Sequence, residues 1–214
     1  MKIESITQGR HPQVVYVSLD DGTRIRMQSS VVMDQGLYPG MEIDAEQLAQ
    51  ISAAAREASA RARAVRIISA SASTEEALER KLIQKGEEPG DARQAVRWLK
   101  ELNLLDDGQV ARQLVQSAVR KGYGKARIKQ ILFEKQVPKQ YWDEALALIP
   151  DMGNAIDAFL QKRFHGAAPD RQEQEKAIQA LLRRGHSWGD IRAALVRYDQ
   201  TCQDQWEEED IYGI

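Results

Sequence analysis

The sequence predicts a mainly α protein: three tandem three-helix repeats forming an elongated, curved array, preceded by a small N-terminal β element. Three observations carry this reading. Strand-forming residues mark the first 44 positions and then give way to Ala, Leu, Glu and Arg. Beyond that boundary apolar residues recur at helical spacing, and the whole pattern returns after about fifty residues.

In the β element, Val14, Val15, Tyr16, Val17 and Leu19 lead into Asp20-Asp21-Gly22, and Thr23, Ile25 and Met27 follow. Asp21-Gly22 tolerates positive φ, as a tight hairpin turn requires, and the flanking runs are β-branched. Tyr38-Pro39-Gly40 punctuates the end of this unit, residues 1–44. An isolated hairpin is marginal in water, so it is expected to pack on the helices behind it. From Asp44 onward, the alanine-dense stretch from Ala53 to Val65 is helical by propensity alone.

The repeats become visible when Gly86 is set against Gln136 and Gly185. Four residues earlier stand Leu82, Leu132 and Leu181; nine later stand Ala95, Ala145 and Ala194; ten later, Val96, Leu146 and Leu195. A basic residue, Lys85, Lys135 or Arg184, precedes each mark. A fifty-residue period with three helical stretches gives three-helix units over about 45–104, 105–150 and 151–200, followed by an acidic tail at 201–214. A cation in the last helical turn followed by glycine suits a helix C-terminus, whose carbonyls favour positive charge and whose closing residue is left-handed. Gln136 lacks glycine's freedom, which predicts a differently shaped turn in the middle unit.

Composition narrows the function classes. Apolar residues make up 43% and charged residues 29%, a globular balance. Cys202 is the only cysteine and no run reaches the roughly 20 apolar residues of a membrane span. A soluble protein of the reducing cytosol, without disulfides or membrane contact, is expected. The net charge of -2 conceals a basic middle: residues 61–150 hold 17 cations against 12 acids, while residues 201–214 hold none against five. A protein that holds nucleic acid chiefly by neutralising phosphates is expected to be basic throughout.

Enzyme signatures are missing from the pattern. His11, His165 and His186 form no ligand grouping, and Gly122-Tyr123-Gly124 lacks the strand and third glycine of a dinucleotide loop. No catalytic residue, metal or cofactor is expected. Asp106-Asp107 reads as a helix start with acid in its first turn. Trp98, Trp142 and Trp188 fall near turns or apolar stripes, which predicts core or inter-repeat anchors. The run from Gly108 to Phe133 contains no acid, yet it carries Arg112, Arg120, Lys121, Lys125, Arg127 and Lys129. It is either a solvated helix face or an electrostatic docking surface for an acidic protein or a phosphate backbone. The third unit echoes it with Arg183, Arg184, Arg192 and Arg197.

These residues also carry a family resemblance. Leu78, Lys81, Leu82, Lys85 and Gly86, followed by Leu99, Leu102, Leu105, Asp106, Asp107 and Ala111, resemble the first-repeat pattern of RecX regulatory proteins. Gly124, Arg127, Ile128, Leu132 and Lys135 resemble the second, and Leu181, Arg184, Gly185, Ser187 and Ile191 the third. The similarity runs from about Ala64 to Tyr198, with departures at Ser71, Ser73, Ala77, Gln136 and His186. It implies a non-enzymatic monomer that needs no cofactor: a protein that lies along the RecA filament on single-stranded DNA, touching DNA directly or through the filament, and inhibits or modulates ATPase, filament growth and strand exchange. A free-standing helical-repeat nucleic-acid-binding protein is the alternative, separable by the steep salt dependence of direct phosphate contact.

Overall fold

The computed structural model describes the backbone of residues 1–212 and the side chains of residues 1–201, so the acidic side chains expected to form a C-terminal tail lie outside the described residues. The chain divides into two compact units, Met1–Asp106 and Asp107–Ile214.

The first unit opens with an antiparallel sheet in the order β1 (Ile3–Gln8), β2 (Val14–Leu19), β3 (Arg24–Gln28). The expected hairpin joins β2 to β3: Gly22 has φ 84°, its N–H donates to the Leu19 carbonyl (3.1 Å), and the Asp21 carboxylate accepts from the Thr23 N–H (2.8 Å). These bonds favour the ionised form and lower the pKa of Asp21. Strand β1 and the short helix α1 (Ser29–Asp34) carry no clear mark in the sequence. Ile3, Val17, Leu19, Met27 and Val31 form one core with Ile51 and Ala55 of α2 (Ala45–Ala70), so the sheet packs on the first long helix as expected. Asp44 caps α2 and exchanges hydrogen bonds with Gln47 in a capping box, which fixes the boundary where composition changes.

Helices α3 (Glu75–Gln84) and α4 (Pro89–Glu101) complete a three-helix layer with α2, burying Ala60, Ala64, Leu78, Leu82, Ala95 and Leu99. Arg63 holds the α3–α4 turn against α2 by an ion pair to buried Glu87 (2.6 Å) and by donating to the Lys85 carbonyl (2.9 Å). Trp98 is half-buried beside this core, with the Arg61 guanidinium over its ring at 5.2 Å.

The second unit holds two more three-helix domains. One comprises α5 (Asp107–Arg120), α6 (Lys125–Glu134) and α7 (Trp142–Leu146), with Val115, Ile128, Leu132 and Ala145 at its centre. As the sequence suggests, α5 begins with an acid in its first turn, Asp107. Trp142 is half-buried and donates its indole N–H to the Val137 carbonyl (2.9 Å). The other domain comprises α8 (Gly153–Phe164), α9 (Arg171–Arg183) and α10 (Trp188–Tyr212), centred on Ile156, Leu160, Leu181, Ile191 and Ala194.

The turn at the repeat marks has one shape in all three domains. Gly86, Gln136 and Gly185 have φ values of 91°, 56° and 85°. In each, the mark's N–H donates three residues back, to Ile83, Phe133 or Leu182, and the next N–H donates to Leu82, Leu132 or Leu181. This corrects the expectation for the middle unit: Gln136 takes the left-handed conformation instead of reshaping the turn. The paired carbonyl bonds and buried leucines that define this helix stop are the same in all three, so packing outweighs the roughly 1–2 kcal/mol cost of a non-glycine there.

Gly124 and Gly185 interlock the second unit's two domains. The Gly124 N–H donates to the Arg184 carbonyl (2.8 Å) and the Ala126 N–H to the Gly185 carbonyl (3.2 Å). A Cβ on Gly185 would stand 2.2 Å from the Arg127 nitrogen, and one on Gly124 would stand 2.2 Å from the Gly185 oxygen. At Gly86, by contrast, an added Cβ meets nothing within 4 Å. Gly86→Ala should therefore cost only the left-handed strain, about 1 kcal/mol, and Gly185→Ala about 3 kcal/mol or more, because backbone must also move. Urea unfolding of the two variants measures the difference; equal losses would remove the interlock from the account of stability.

Candidate partner-binding surface

The α5–α6 turn carries the densest positive charge. Arg120 closes α5, Lys121 follows it, and Lys125 opens α6, with Lys129 one turn further along the same face. All four are exposed. Among the described residues they have no ion-pair partner, whereas Arg112 bonds Glu144 (2.9 Å) and Arg127 bonds Glu134 (3.4 Å). The acid-free run thus resolves into two cations neutralised by carboxylates from outside it and four left to solvent.

The interlock sets one cation of the third domain, Arg184, against the α5–α6 turn. Besides the two backbone bonds to α6, the His186 imidazole N–H donates to the Gly122 carbonyl (3.0 Å). The Arg184 guanidinium lies 4.9 Å over the Phe159 ring and 3.6 Å from where a Cβ on Gly122 would sit, so it also packs within the fold. Arg183 is exposed beside it, and Arg192 is exposed on α10. Of the nine candidate residues, Arg120, Lys121, Lys125, Lys129, Arg183 and Arg192 are exposed and have no ion-pair partner among the described residues, while Arg112, Arg127 and Arg184 also serve the fold.

Two aromatic side chains stand in solvent, one of them against expectation. Trp188 is 56% exposed, so it is no core anchor; it borders an open groove of about 930 Å³ with Arg163, Lys176, Ile178, Leu182 and Arg183. Its neighbour in sequence, the buried stripe of α10, starts at Ile191, which leaves the helix's first residue outside. Phe133, which the sequence reading did not single out, is 72% exposed and continues the Lys125–Lys129 face of α6 at the same four-residue step.

No three acids, histidines or cysteines gather as a metal site among the described residues, and no described helix is long and apolar enough to cross a membrane.

Fold and surface together define a tandem three-helix repeat protein with a basic edge. Residues 106–146 match the model of the RecX second three-helix domain, and residues 154–195 match that of the third. Proteins named "Regulatory protein RecX" are similar over long stretches: that of Vibrio parahaemolyticus is 35% identical over 125 residues, 58% of this chain and 81% of its own length. The one from Levilactobacillus brevis is 34% identical over 199 residues, 89% of this chain and 74% of its own length. A crystal structure of a regulatory protein RecX shares the fold with a TM-score of 0.62 at 24% identity, covering 90% of this chain and 98% of that one. The chain belongs to the RecX family of regulatory proteins.

His186 stands where the family pattern carries phenylalanine, and its bond to Gly122 gives that departure a structural role. Burial lowers its pKa from 6.5, opposed by the Gly122 bond and assisted by the charge of Arg184. A base with a lowered folded pKa binds fewer protons folded than unfolded, so stability is complete above the unfolded pKa and is lost as pH falls below it. From about pH 7.5 to 5.5 the protein should lose thermal stability relative to a His186→Phe variant. Parallel melting curves for the two would show that His186 does not set the acid limb.

Proposed function

We propose that the chain acts by binding, without chemistry of its own, to RecA filaments on single-stranded DNA, and that it lowers their ATP hydrolysis and growth. The observation that carries this is the cluster of exposed cations without counter-charge, Arg120, Lys121, Lys125 and Lys129, on a chain of the RecX family. Exposed side chains contribute only tenths of a kcal/mol to a helix, so four unpaired cations on one edge serve the fold little and a partner more. Arg183 and Arg192 extend the positive field from the third domain. Such a surface meets acidic protein or phosphate, and a filament on DNA offers both.

Inhibition follows from geometry of attachment. A chain of linked domains that touches neighbouring protomers gains effective concentration at each added contact and resists the changes between protomers that accompany turnover. The working compartment is the cytosol and the active form a monomer.

Adding the protein to RecA filaments across a concentration series should lower ATP hydrolysis, while the protein alone hydrolyses none. The double variant Lys125→Glu/Lys129→Glu should bind filaments about tenfold more weakly with an unchanged melting temperature. ATPase that stays constant while binding is confirmed separately refutes inhibition. Binding to bare single strands that matches filament binding and weakens steeply with salt would instead favour a free-standing nucleic-acid binder.

A further inference from the structure

Each three-helix domain exposes one large apolar side chain at the same address. Three residues before the left-handed turn residue stand Ile83, Phe133 and Leu182, in α3, α6 and α9, exposed by 40%, 72% and 39%. The helix stop explains their neighbours: Leu82, Leu132 and Leu181 are buried and their carbonyls accept the closing bond. It does not explain these three. One step along a helix turns a side chain about 100° away from the buried stripe, where lysine or glutamate would cost nothing and apolar surface gains nothing from water.

The setting is also alike. An exposed cation follows each knob within two residues: Lys85 after Ile83, Lys135 after Phe133, Arg183 after Leu182. Around Phe133 the charge is denser, since Lys129 lies one turn before it on the same face. Leu182 shares its groove with Trp188, Arg163 and Lys176.

We infer that Ile83, Phe133 and Leu182 are equivalent docking knobs, each entering an apolar socket with an acidic rim on a protein partner whose surface repeats from subunit to subunit. Apolar knobs beside cations complement an apolar socket beside carboxylates, and three copies of one knob match three copies of one socket. This rests on the filament reading above and names the side chains that fix register there. Nucleic acid is disfavoured as the occupant because isoleucine and leucine have no ring to stack on a base.

The test uses the full chain with Ile83→Ser, Phe133→Ser and Leu182→Ser singly and together. Anisotropy measures binding to RecA filaments on single-stranded DNA and, separately, to a bare oligothymidine strand. Each single substitution should weaken filament binding about three- to tenfold and the triple at least about a hundredfold, with melting temperature and bare-strand binding unchanged. Leu132→Ala, at the buried neighbour, should lower the melting temperature and leave the folded protein's filament affinity intact.

If the wild-type chain fails to bind filaments, the functional reading falls and takes the partner named here with it. If it binds and the triple variant binds equally well, only the knobs are wrong. A loss confined to Phe133→Ser and shared by the bare strand reassigns that ring to base stacking and overturns the proposal, as does a wild-type dimer that the triple variant dissolves.

Discussion

Two glycines in contact hold the second unit together. The C-terminal end of α9 abuts the N-terminal end of α6, so that carbonyls left over by one helix accept from amides left over by the other. Nothing larger than hydrogen fits between Gly185 and Arg127 or between Gly124 and Gly185. The junction therefore does by backbone what a capping side chain does elsewhere: α2 has Asp44, α3 has Thr74 and α9 has Asp170, but α6 opens on Gly124 without a side-chain cap. Each such bond is worth about 1 kcal/mol net, and leaving the amides buried and unmet costs more.

That junction also accounts for the cations at the start of α6. Lys125 and Arg127 occupy a first turn that has no acid, where the helix dipole opposes positive charge by several tenths of a kcal/mol. The negative end of α9 faces them and offsets the opposition. Arg127 turns to Glu134 and Lys125 to solvent, so the exposed charge is placed on a rigid backbone rather than on a loose loop. The residue after the turn mark adapts to what each domain must hold. Glu87 takes an ion pair from Arg63 of α2, Val137 enters the core, and His186 reaches the Gly122 carbonyl.

Most of the architecture is legible in the sequence because it is periodic. The leucines at 82, 132 and 181 and the alanines at 95, 145 and 194 recur with the fold's own period, and Asp21-Gly22 and Asp44 mark a turn and a cap by local chemistry. What is illegible is what periodicity averages away. The Gly124–Gly185 contact joins unlike positions of two repeats and has no counterpart to align. β1 begins Ile3-Glu4-Ser5-Ile6, which breaks the two-residue alternation and is too polar to stand out, and it owes its place to the edge that β2 offers. Gln136 follows the shape of its glycine relatives because the leucine and valine on either side are buried as in a common mould. The six cations between Gly108 and Phe133 are visible as a run, but their sorting into paired and unpaired depends on Glu134 and Glu144, which lie beyond it.

On the proposed docking edge, charge and apolar surface have different tasks. Unpaired lysines and arginines act over a Debye length, speeding approach and selecting the sign of the partner, but their pull fades with salt and specifies position only loosely. An apolar side chain acts only on contact, and what it adds appears as slower release. On α6 the two are combined in one stripe, Lys125, Lys129 and Phe133, stepping along a single face from the interlocked end to the exposed ring. Because Gly124 anchors the start of that stripe and Leu132 its far end, the backbone that carries the ring is fixed relative to the backbone that carries the two lysines. The backbone under that stripe is fixed at both ends, so only the side chains themselves would have to be ordered by anything that docks on it.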